Sequence, residues 1–100
     1  MQDRIQDIII HSLKELNEEL EKVELENPTI ETRLYGVDGV LDSLALVTLI
    51  TDLEEKISEE FGKNITLADE RAMSQRRSPF RDVKSLVEYI EILLKEENDE

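Results

Sequence analysis

Asp42-Ser43-Leu44 stands where a loop punctuated by Gly36 and Gly39 gives way to an apolar-periodic run, Leu44 to Phe61, that holds no Gly or Pro. Asp42 reads as an N-cap and Ser43 as a first-turn residue. A serine there is exposed, close to unpaired backbone N–H groups and the positive end of the helix dipole. That environment favours a phosphate ester on its oxygen. A plain helix-capping serine satisfies the same local physics. Other chemistry is thinly represented. His11 is the single histidine and there is no cysteine, so thiolate metal sites and disulfides are excluded. No triad can be assembled. Glu54-Glu55 and Glu59-Glu60 are adjacent pairs that splay around a helix and read as solvation, Asp38-Gly39 lacks the alternating oxygens of a calcium loop, and no glycine-rich phosphate cradle is present. Nothing in the residues points to an enzyme.

The elements that must position Ser43 are helical. Residues 3–26 predict one long amphipathic helix, with Ile5, Ile8, Ile9, Leu13, Leu16, Leu20 and Val23 on one stripe and Lys14, Glu18 and Lys22 as an opposed-charge ladder. Asn27-Pro28 ends it. Residues 27–41 form a loop that Ile30, Leu34, Tyr35, Val37 and Val40 pin to the core. The second helix runs from Ser43 to Phe61, with Leu46, Leu49, Ile50, Leu53 and Ile57 inward, Leu44 and Val47 toward the other side, and Gly62 as the stop. A short helix over about Ala68–Gln75 and a last one over about Asp82–Lys95, capped by Asp82, follow. In the last, Val83, Leu86, Val87, Ile90 and Leu94 turn inward. The fold class is all-α: a small four-helix bundle, three helices longer and one short. Residues 1–95 make a single domain, and 96–100 an acidic tail.

The chain has a net charge of -13 over 100 residues, unevenly spread. Residues 36–70 hold nine acids and two bases, while residues 71–95 hold six bases and three acids, Arg71, Arg76 and Arg77 among the former. Such acidity argues against nucleic acid, whose phosphates would be repelled. It suits basic partner surfaces, and it also simply keeps a small helical protein in solution. No apolar run spans a membrane. The first residues lack a signal-peptide pattern, and a cytoplasmic monomer is the expectation.

Asp42-Ser43-Leu44 with the helix Ala45-Leu46-Val47-Thr48-Leu49-Ile50 resembles the prosthetic-group site of acyl carrier proteins. The likeness continues through Leu53-Glu54-Glu55, Phe61 and Ile65, and resumes from Phe80 to Ile90. It implies a bundle of the acyl-carrier type in which Ser43 is esterified with 4'-phosphopantetheine, whose thiol holds cargo as a thioester. It implies that Asp42 helps a phosphopantetheinyl transferase hold magnesium. It makes Leu44, Val47 and Glu54 the patch recognised by acyl-loading and acyl-processing enzymes of lipid, fatty-acid or secondary-metabolite synthesis. Without the resemblance, Leu44 and Val47 are the edge of a wide core stripe and Glu54 a solvated helix charge.

The chain departs from fatty-acid-synthesis carriers in three ways. Those have acids two and five residues after the serine, where this chain has Ala45 and Thr48. Its second helix is about one turn longer. Its 71–77 region is basic, and the arginines there either pair with the acids of the second helix or meet an acidic partner. A specialised carrier is the expectation. Two alternatives stand beside it: a helical interaction module without an arm, using the near-heptad first helix, and an aminoacyl or aryl carrier for a synthetase or ligase.

Overall fold

The computed structural model describes residues 2–36, 39–67 and 79–98. Three α-helices are present among them: α1, Gln2–Leu20; α2, Ser43–Phe61; and α3, Val83–Asn98. The expected short helix over about Ala68–Gln75, and with it Arg71, Arg76 and Arg77, lies outside the described residues, as does Val37. The sole strand-like feature among the described residues is an isolated antiparallel bridge between Arg33 and Asp82. The described residues form a small, compact, all-helical structure.

α1 packs on both α2 and α3. Its stripe delivers Ile5, Ile9 and Leu13 fully buried. They meet Leu46, Leu49, Ile50, Leu53 and Ile57 of α2 and Val83, Leu86, Val87, Ile90 and Leu94 of α3 in one apolar cluster. Each buried Leu, Ile or Val contributes roughly 1.5–3 kcal/mol. α2 ends as expected: Gly62 takes φ 65°, which a side chain would strain, and donates its N–H to the Ser58 carbonyl at 2.9 Å.

The expected helix over 3–26 is shorter. α1 stops at Leu20, and Glu21 turns left-handed with φ 54°. Asn17 ends it twice over: its carbonyl accepts the Glu21 N–H at 2.8 Å and its side-chain Oδ1 accepts the Lys22 N–H at 2.7 Å. Lys22 is extended and a 3-10 turn, Val23–Leu25, follows. The left-handed residue costs roughly 1–2 kcal/mol. The turn it creates buries Leu25 completely, a gain of about 1.5–3 kcal/mol that outweighs it. Val23, expected inward, is 76% exposed instead. Lys22 leaves the helix and with it the proposed charge ladder.

The loop before α2 is held by backbone bonds as much as by apolar pins. Leu34 is fully buried, and Tyr35 and Val40 pack at the core edge. Ile30, an expected pin, is exposed; its carbonyl is used instead, accepting the Lys84 N–H at 2.9 Å. Thr32 O accepts the Val83 N–H, and the Leu34 and Tyr35 N–H groups donate to the carbonyls of Arg81 and Phe80. Asp82 caps α3 as expected, its Oδ1 accepting the Ser85 N–H at 2.8 Å. Gly39 is where the loop folds back: a Cβ there would stand 2.8 Å from the Tyr35 backbone, a clash that no larger residue avoids.

Candidate functional site

Asp42 enters α2 with extended backbone, φ -86° and ψ 178°, and its Oδ1 accepts the Ala45 N–H at 2.8 Å. Leu41 on one side and Ala45 and Leu46 on the other are buried. The first turn is therefore fastened at both ends while Asp42, Ser43 and Leu44 stay exposed. Ser43 is the first helical residue. Among the described residues neither its hydroxyl nor the N–H groups of Ser43 and Leu44 have a partner. An anion on Ser43 Oγ would thus meet two open backbone donors and the helix dipole.

Leu44 is 76% exposed and Val47 58%, so these two lie outside the core stripe. Thr48 and Thr51 continue the exposed face, and each turns its hydroxyl back onto the helix: Thr48 Oγ1 donates to Leu44 O at 3.1 Å and Thr51 Oγ1 to Val47 O at 3.0 Å. Ala45, in contrast, is buried at 7% exposure. It shares the inward side with Leu49 and Leu53, so it belongs to the core and not to the surface on which the comparison with fatty-acid carriers set it.

The acids further along α2 are engaged. Glu54 is half-buried and its Oε2 accepts the Leu67 N–H at 2.7 Å, tying down the segment after α2. Asp52 Oδ2 lies 3.0 Å from Lys56 Nζ. Lys56, with only a quarter of its side chain exposed, also reaches Glu15 and the buried Ser12 hydroxyl, the latter at 3.1 Å. Burial disfavours the Lys56 ammonium, but hydrogen bonds and charge from Glu15 and Asp52 outweigh it and raise its pKa above the ordinary 10.5. This clasp joins α1 to α2. The sequence carried a signal for part of it, since Asp52 and Lys56 are four apart on one helix; Ser12 and Glu15 come from the other helix.

Two open clefts flank the clasp. One, about 500 Å³, is lined by Asp7, Ile8, His11, Lys56, Glu59 and Glu60. The other, about 220 Å³, has Glu15, Leu16, Glu19, Thr48 and Asp52 on its walls. Both are rimmed by carboxylates and neither is an apolar tunnel for a long chain. His11 is exposed, with Nε2 3.3 Å from Glu15. Among the described residues no group of three or more His, Cys, Asp or Glu is arranged to hold a metal ion. A smaller cleft of about 70 Å³ lies behind the start of α2, lined by Leu20, Lys22, Val40, Leu41, Asp42 and Ala45. Sequence reasoning missed Lys22 here, because only the break after Leu20 brings it beside Asp42.

Comparison with protein-family models, with characterised proteins and with solved structures gives no match to this chain. No helix of the described residues is long and apolar enough to cross a membrane.

Proposed function

We propose that this chain is a carrier protein of the acyl-carrier type, modified on Ser43 with 4'-phosphopantetheine. The observation that carries the reading is the open first turn of α2. An exposed serine hydroxyl sits beside two N–H groups, none of the three with a partner among the described residues, on a turn that Asp42, Leu41 and Ala45 hold in place. The residues present fit the group: Ser43 would hold its phosphate, with Lys22 and Asp42 at the adjoining cleft. When bound, the group supplies a thiol on a mobile arm that carries cargo as a thioester. In the modification, the Ser43 Oγ–phosphorus bond would form, the phosphoanhydride of coenzyme A would break with release of adenosine 3',5'-bisphosphate, and the serine proton would pass to a base on the transferase. The carrier does no bond chemistry afterwards. It raises the effective concentration of cargo at each enzyme to which it docks.

The armless alternative would use the α1 stripe as an association face. Ile5, Ile9 and Leu13 of that stripe are fully buried inside the chain's own core, which favours the carrier reading over it. The experiment is intact mass after incubation with coenzyme A and a broad-specificity phosphopantetheinyl transferase. The wild type is expected to gain one phosphopantetheine. Ser43→Ala is expected to gain none and to keep the fold, since an exposed first-turn Ser→Ala changes stability by less than about 0.5 kcal/mol. A wild type that stays at its original mass, or a Ser43→Ala that still gains the arm, removes the reading.

A further inference from the structure

The first two turns of α2 differ in charge from the rest of the molecule. Residues 43–51, Ser-Leu-Ala-Leu-Val-Thr-Leu-Ile-Thr, hold no charged residue, in a chain where 37% of residues are charged. Burial accounts for Ala45, Leu46, Leu49 and Ile50. It does not account for Ser43, Leu44, Val47, Thr48 and Thr51, all exposed. Exposed positions of a surface helix normally carry Lys, Glu, Arg or Asp, as α1 and the second half of α2 do.

The acids that flank this stretch along the chain are also committed. Asp42 holds the Ala45 N–H, Asp52 faces Lys56, and Glu54 holds the Leu67 N–H. Lys22 lines the same small cleft as Asp42. Glu55 is the first exposed acid of α2 with no partner among the described residues. It stands twelve residues beyond Ser43, about 18 Å along the axis. The two threonine hydroxyls already donate to Leu44 O and Val47 O. What the start of α2 offers a partner is the side chains of Leu44 and Val47, on a stretch of helix that itself holds no charged residue.

We propose that this strip docks partner enzymes by apolar contact, onto a surface with an uncharged hollow for Leu44 and Val47 and not onto a basic patch. The identity of the occupant, an enzyme that acts on Ser43, rests on the carrier reading. The contact chemistry rests on the charge distribution alone. Along α2 itself, a partner relying on Arg or Lys would find no carboxylate between Asp42, which is taken up in the cap, and Asp52, which faces Lys56. Two apolar side chains make a small patch, which suits an encounter that must release quickly.

The test separates docking from modification. Calorimetry with Ser43→Ala protein and a broad-specificity phosphopantetheinyl transferase reads docking alone, at low and high salt. The expected affinity changes by less than about threefold across the series, because apolar contacts are not screened, and binding has a negative heat-capacity change. Val47→Lys is expected to weaken it about tenfold and Leu44→Ser to do likewise. Both sites are exposed, and circular dichroism checks that both variants fold. An affinity that falls about tenfold or more as salt rises overturns the proposal. So does a transferase that fails to bind at any salt, or concentration-dependent self-association that Val47→Lys abolishes, which would make the strip a face for a second copy. Salt-independent docking with no mass gain in wild type would retain the docking surface and remove the carrier reading. Mass gain with steeply salt-dependent docking would do the reverse.

Discussion

Two helix starts in this molecule begin from the same local chemistry and end in opposite conditions. α2 is preceded by Asp42 and α3 by Asp82, and each carboxylate accepts the N–H three residues on, at 2.8 Å in both cases. The next two donors part company. In α3, the Val83 and Lys84 N–H groups reach the carbonyls of Thr32 and Ile30 at 3.1 and 2.9 Å. In α2, the equivalent N–H groups of Ser43 and Leu44 have no partner among the described residues. A cap consumes one donor wherever it occurs. Whether the remainder are sealed or left for a ligand depends on what the chain folds over them. The sealed start is structural. The open one is where function is proposed.

The largest expected effect comes from unsealing α3. Leu34 is fully buried and sits on the segment bonded to Arg81 and Phe80. Leu34→Ala is expected to cost about 2–5 kcal/mol in chemical denaturation, while modification of Ser43 in the folded fraction stays close to wild type. A loss of modification at a temperature where the variant is folded would mean that the two starts are not independent.

Next come two acids placed on the open start. Ala45→Glu puts a carboxylate at a buried position and is expected to destabilise by about 1–3 kcal/mol. Thr48→Glu is on the exposed face and is expected to stay within about 0.5 kcal/mol. Equal melting temperatures for the two would show that Ala45 is not held in the core.

The caps are expected to cost less than Ala45→Glu. Asp82→Ala is expected to cost about 1–2 kcal/mol and Asp42→Ala about 0.5–1 kcal/mol, because Asp82 is much less exposed. Burial pushes the Asp82 carboxyl up, but hydrogen bonds from Ser85 and the Arg81 charge outweigh it and hold its pKa below the ordinary 3.8. A depressed carboxyl adds stability above its unfolded value, and that stability is lost as pH falls through the folded one. Wild type is therefore expected to lose stability more steeply than Asp82→Ala as pH drops below about 3.8. Parallel acid limbs in the two proteins would sink this assignment.

The sequence by itself determined the elements that rest on local physics. α2 runs from Ser43 to Phe61 as its spacing requires, with Asp42 and Gly62 at its ends. The residues of α2 and α3 that 3.6-residue periodicity selects as inward all join the core, and Leu44 and Val47 fall outside, while the core also takes in Ala45, Tyr89 and Leu93. These outcomes need only neighbours a turn away. Tertiary structure alone decided the rest. α1 stops at Leu20 because burying Leu25 outweighs one left-handed residue. Ala45 is core because α2 is rotated so that its side lies with Leu49 and Leu53. Glu54 is a tether because Leu67 returns to it. The start of α3 is sealed and that of α2 open because the loop over 29–35 runs past one and not the other. Each of these depends on segments far apart in the chain meeting in space, and a cap or a stripe read locally has no knowledge of what will be folded against it.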